Sequence, residues 1–127
     1  MNAMISLNYR DSRPIYEQIE DGLRKLIVTG ALGADEKLPS VRALAAQLAI
    51  NPNTIQRAYM ELEQQGLICP VKGKGSFVTD SGRIRQIGME ETLSELKKIT
   101  EKGMALGVGE EEMIDVICSC YKEGNND

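Results

Sequence analysis

Apolar residues recur at helical intervals in "RPIYEQIEDGLRKLIVTG", where Ile15, Ile19, Leu23 and Leu26/Ile27 share one face. Pro14 suits the first helical position and Gly30 the C-terminal stop, so this spacing predicts a first helix. "GALGADEKLP" breaks the pattern and is expected as a loop. Ser40 then caps a short second helix whose Val41, Leu44, Ala45 and Leu48 form an i, i+3, i+4, i+7 stripe. After the break at "INPN", Asn51 as N-cap and Pro52 in the first turn open a third helix running to about Gln65. Gly66 closes it, and its buried stripe is Ile55, Ala58, Tyr59 and Leu62. Two short helices joined by so brief a turn form a helix-turn-helix.

"LICPVKGKGSFVTD" reads as two short strands around a Lys-Gly-Lys-Gly turn, and Pro70 makes the first an edge strand. The expected fold is mainly α with a small β-hairpin: a winged helix-turn-helix domain over residues 8–80, then a linker and a helical tail over 81–127. "SGRIRQIG" is the expected linker. In "MEETLSELKKITEKG", Met89, Leu93, Leu96 and Ile99 or Thr100 lie on one side; "EEEMIDVICSCYK" is apolar around much of its circumference. Gly107 and Gly109 mark the turn between them. Two helices in about 40 residues cannot bury a sufficient core by themselves. A second copy of the same hairpin is the expected cover, which makes the tail a homodimerisation element through Leu93, Leu96, Met113, Ile117 and Tyr121.

Composition narrows the chemistry. Histidine is absent, which removes the commonest general base and metal ligand. Cys69, Cys118 and Cys120 are an odd number without metal-ligand spacing, so they are expected as reduced, buried or half-buried thiols. "GKGS" lacks the full G-x-x-x-x-G-K-[ST] phosphate loop. No catalytic residue, metal or cofactor is expected, and an enzyme is the least favoured class. No run approaches the roughly 18 apolar residues of a membrane span. The start lacks the build of a signal peptide, and "MNAM" is given no functional role. The expected location is the cytoplasm.

Charge is unevenly placed. Residues 1–85 carry 11 Lys+Arg against 9 Asp+Glu, whereas residues 86–127 carry 4 against 10. The acidity of the chain, net −4, therefore belongs to the tail, and the stretch Lys37–Arg85 is locally basic, 7 against 3. On the third helix, stepping about 100° per residue from Ile55 places Asn53, Gln56, Arg57, Met60 and Gln64 opposite the buried stripe. Thr54 sits on the shoulder, and Glu61 and Glu63 fall to either side. Amide, hydroxyl and guanidinium groups without a carboxylate suit major-groove reading: Asn and Gln bond adenine edges, and Arg bonds guanine. Ser40 and Arg42 at the start of the second helix, with Lys72, Gly73 and Lys74 on the turn, complete the expected contacts to double-stranded DNA.

Over Pro14–Thr79 the sequence resembles the GntR family of bacterial transcription regulators, through "PIYEQIEDGLRKLIVTGAL", "LPSVRALAAQL", "NTIQRAYMELEQQGLI" and "GKGSFV". The resemblance implies DNA contacts from Arg42, Asn51, Asn53, Thr54, Gln56, Lys72 and Gly73. Arg57 and Lys74 come from geometry and charge instead. Fatty-acid-responsive relatives have arginines where this chain has Pro52 and Gln56, so the resemblance implies the docking mode and not the base preference. The short tail is similar to that of the YtrA subfamily, whose tails dimerise and whose members often repress ABC-transporter operons.

The resulting expectation is a homodimeric repressor on a pseudo-palindromic operator, its acidic tail away from the duplex. Two rivals come from other classes. A winged-helix protein-interaction module would want acids or large apolar groups facing out of the third helix, where only Met60 does so. An effector- or redox-responsive switch would act through Cys118 and Cys120 in the tail; no particular effector is implied.

Overall fold

The structure, a computed structural model, describes residues 5–125; Met1–Met4, which include the "MNAM" opening, and Asn126–Asp127 lie outside the described residues. Five helices and one hairpin follow in the order α1 (Ile15–Thr29), α2 (Val41–Leu48), α3 (Pro52–Gln64), β1 (Ile68–Val71), β2 (Gly75–Val78), α4 (Ser81–Leu106) and α5 (Glu110–Gly124). The chain divides into two compact units, residues 1–88 and 89–127.

The core of the first unit is the set of stripes the spacing predicts. Ile19, Leu23 and Ile27 of α1, Leu44 and Ala45 of α2, and Ile55, Ala58, Tyr59 and Leu62 of α3 are buried, with Leu67, Ile68 and Val78 from the hairpin. Each fully buried large apolar side chain stabilises by roughly 1.5–3 kcal/mol. Pro14 precedes α1 as its N-cap rather than opening it, with ψ 148°. Ser40 caps α2 by accepting from the Ala43 N–H at 3.0 Å, and Asn51 caps α3 by accepting from the Asn53 N–H at 2.8 Å. Between these helices Ala49 takes a left-handed φ of 55°, while the Ile50 N–H returns to the Ala45 carbonyl at 3.0 Å. That cap turns the chain sharply enough for α3 to cross α2.

The hairpin pairs Ile68 with Val78 and Val71 with Gly75, antiparallel, around Lys72–Lys74. Its second strand has a further neighbour. The Leu38 N–H donates to the Ser76 carbonyl at 2.9 Å, and the Val78 N–H donates to the Glu36 carbonyl at 2.9 Å. The expected loop 30–39 therefore ends as a short pairing along β2, which leaves β1, with its Pro70, at the edge.

Three expectations need correction. Ser81–Gly88 is not a linker but the opening of α4, capped by Asp80, whose carboxylate accepts from the Arg83 N–H at 2.9 Å. Ile87 is buried and Ile84 half-buried against the core of the first unit, so these turns belong to it. At the other end Ile5 is buried as well, and Leu7 packs on the same core, ahead of the expected start at residue 8. Nor are the thiols covered: Cys69, Cys118 and Cys120 are all exposed. Only Ile68 of β1 is buried, which puts Cys69 outside, and α5 buries no residue.

In the second unit, α4 and α5 meet at Gly107–Gly109, where the Val108 N–H donates to the Gly103 carbonyl at 2.9 Å. A Cβ at Gly103 would stand 2.8 Å from Met113 Cε, so the glycine admits that methionine. Little else is covered. Among the described residues, ten of the fourteen exposed large apolar side chains lie in 89–127, including Leu93, Leu96, Ile114, Ile117 and Tyr121. No described helix is long and apolar enough to cross a membrane.

Candidate nucleic-acid interface

Helix α3 is held from behind. Its four buried residues pack on α1 and α2, and the Tyr59 hydroxyl donates to the Pro39 carbonyl at 2.7 Å. Burial pushes the Tyr59 phenol up to about 12. This bond ties the middle of α3 to the residue before the Ser40 cap, so the openings of α2 and α3 are set against each other. At the far end of α3, Gly66 has φ +80° and faces the Arg83 guanidinium, 3.2 Å from where a Cβ would stand. A larger residue there would be strained and crowded at once.

The polar face opposite the core is open. Asn53, Gln56, Arg57, Met60 and Gln64 are exposed, and Thr54 is half-buried. Ser40 and Arg42 are exposed at the start of α2, as is Asn51 at the start of α3. The oxygens of Ser40 and Asn51 are engaged in capping, which leaves the Ser40 O–H and the Asn51 NH₂ as outward donors. Lys72, Gly73 and Lys74 are exposed on the turn, closed by the Lys74 N–H donating to the Val71 carbonyl at 2.9 Å, with Gly73 at φ +77°.

One member of the set is held differently from the rest. The Arg57 guanidinium lies 3.8 Å from the centroid of the Tyr16 ring on α1, and its Nη2 donates to the Tyr16 hydroxyl at 3.2 Å. The sequence reading missed Tyr16 as a partner, because nothing in "PIYEQ" distinguishes a ring that holds an arginine from one that packs inward. It also missed Lys37. At Gly75, φ +108°, a Cβ would stand 3.0 Å from Lys37 Cε, so a third lysine lies beside the turn that carries Lys72 and Lys74. The only sequence signal was a lysine just before "LPS". Among the described residues no group of His, Cys, Asp and Glu suits a metal.

Residues 15–78, from the first turn of α1 to the end of β2, match the family of bacterial regulatory proteins, gntR family. The chain belongs to that family. GntR chains are DNA-binding transcriptional regulators, not enzymes, and the winged helix-turn-helix described above is their reader. The HTH-type transcriptional repressor YtrA of Bacillus subtilis is 35% identical over 112 residues, which span 87% of this chain and 86% of the relative. A GntR family transcriptional regulator from Listeria monocytogenes superposes with a TM-score of 0.74 at 40% identity, covering 86% of this chain and 96% of that one. The structure of AraR(DBD) in complex with operator ORE1 matches 59% of this chain and 92% of its own, with a TM-score of 0.52 at 31% identity.

Proposed function

We propose that this chain is a homodimeric repressor that reads a pseudo-palindromic operator in double-stranded DNA. The observation that carries the reading is the exposed face of α3, where Asn53, Gln56 and Arg57 stand without a carboxylate between them. Gln56 and Asn53 suit adenine edges, and the exposed Arg42 suits a phosphate or a groove edge. Lys72 and Lys74 on the Gly73 turn reach the backbone beside the groove that α3 enters. The operator complex of AraR(DBD) supports the docking mode, and the name of the B. subtilis relative supports repression.

Dimerisation runs through residues 89–127. The uncovered Leu93, Leu96, Ile117 and Tyr121 form the contact, with Met113 partly spent on Gly103. A two-fold dimer sets its reading helices about 34 Å apart along the duplex, or a multiple of that. The protein acts in the cytoplasm, and the YtrA-like tail points to an ABC-transporter operon as its target.

Selection of binding duplexes from a random library tests this reading. The expected product is an inverted repeat, with half-sites one or more helical turns apart. Recovery of single half-sites, or of no shared sequence, would overturn it.

A further inference from the structure

We infer that Arg57 is a phosphate clamp on the wall of the major groove rather than a base reader, and that Tyr16 is the residue that positions it. The inference rests on the DNA-binding reading above and assigns one residue of that face a different task.

On the helical wheel Arg57 stands among the groove-facing residues, yet its side chain turns toward α1, stacking 3.8 Å from the Tyr16 ring centroid. The Tyr16 hydroxyl accepts from Arg57 Nη2 at 3.2 Å and donates to Glu17 Oε1 at 3.3 Å. Glu17 thus turns the hydroxyl so that its lone pairs meet the arginine. No described carboxylate lies within ion-pairing distance of Arg57. One of its five N–H groups is used by the tyrosine, and the others remain for an anion.

Distances then decide which anion. A helix with its side chains, about 10–12 Å across, nearly fills a major groove about 12 Å wide. Packed helices have axes about 8–10 Å apart. A guanidinium stacked on a ring of α1 is drawn off the open face of α3 toward the neighbouring helix, to the side of the groove that α3 fills. The sugar-phosphate wall lies there, and base edges do not. Gln56 and Asn53, with no such tether, stay over the groove floor. Stacking also fixes a side chain that otherwise loses considerable rotamer freedom on binding, so the clamp is preset.

The test is a salt series of fluorescence anisotropy with the full-length chain, on the duplex recovered by selection and on a scrambled duplex. A group that neutralises one phosphate contributes about 0.9 to the slope of log affinity against log salt, which is about eightfold at 0.1 M. Arg57→Gln is expected to weaken binding to both duplexes by a similar factor and to lower the slope by roughly that amount. Gln56→Ala is expected to weaken only the selected duplex, with the slope unchanged. Tyr16→Leu should weaken both duplexes although Arg57 is intact, and the Tyr16→Leu, Arg57→Gln double variant should be no weaker than Arg57→Gln alone. A loss confined to the selected duplex would make Arg57 a base reader, and an unchanged slope would make the pair a brace between helices. Either result overturns the proposal while leaving the DNA-binding reading intact. Should Arg57→Gln melt early, Tyr16→Phe, which removes one oxygen, takes its place: unchanged affinity on both duplexes would overturn it too. Wild-type chain that binds neither duplex would sink both readings.

Discussion

The Tyr59 hydroxyl of α3 reaches across the helix-turn-helix to the carbonyl of Pro39, 2.7 Å away, one residue before the cap of α2. Apolar packing holds α3 down, but it does not fix how far α3 slides along α2. A single directional bond does, and it places Asn51 and Ser40, the two capped openings, in a set relation.

Removing that hydroxyl separates the two effects. Tyr59→Phe keeps the buried ring and leaves the Pro39 carbonyl without its donor, so unfolding by urea should show a loss of about 1 kcal/mol. DNA affinity should fall further than the small unfolded fraction accounts for.

The same residue gives a pH signature. Burial raises its phenol from the ordinary value near 10 to about 12, because the charged phenolate is disfavoured in the core. The folded-state value lies above the unfolded one, so the associated stability is full below pH 10 and is lost as pH rises toward 12. A phenolate absorbance titration should find one of the four tyrosines delayed relative to the others, and that step should vanish in Tyr59→Phe.

Ala49 holds a left-handed φ of 55° at the C-cap of α2. That conformation costs an L-residue with a Cβ about 1–2 kcal/mol, offset in glycine by its greater unfolded freedom. Ala49→Gly should therefore stabilise the domain by about 0.5–1 kcal/mol, read as a higher urea midpoint with the same slope.

Much of this architecture was legible because it is written in local signals. Ser40, Asn51 and Pro52 announce the two helix starts, and the stripes of α1, α2 and α3 fall where their period puts them. The opening of α4 was not. "SGRIRQIG" holds two glycines and two arginines, which read as a linker, and what makes it helical is non-local: Ile84 and Ile87 have a core to pack on. Asp80 was a usable capping signal that composition masked. In the site, every residue named from the sequence stands on an accessible or half-buried position of the reader, yet exposure does not say where a long side chain leans. Arg57 leans on Tyr16, a partner 41 residues away, and no periodicity encodes that.

Arg42 offers a cleaner separation of folding from binding. It is exposed on the first turn of α2, on the side opposite buried Leu44. Arg42→Ala should change stability by no more than about 0.5 kcal/mol and weaken operator binding roughly tenfold. Melting and anisotropy on the same sample check both halves.

The tail carries its own expectation. Leu96 and Ile117 are large, apolar and uncovered in the single chain. Introducing Leu96→Glu with Ile117→Glu would bury unpaired carboxylates in a dimer contact, at several kcal/mol each. Sedimentation equilibrium should show the dimer's dissociation constant raised by roughly a hundredfold or more. A variant that remains as dimeric as the wild type would place the contact elsewhere.

The central claim is that an acidic chain reads DNA through a locally basic, carboxylate-free helix face. Fluorescence anisotropy of the full chain on a duplex from upstream of its own gene, beside a scrambled duplex and across a salt series, tests it most directly. The expected result is preference for the upstream duplex by roughly a thousandfold or more at physiological salt, with affinity falling steeply as salt rises. Absence of binding to either duplex at low salt would contradict it and would favour a protein partner for the same face.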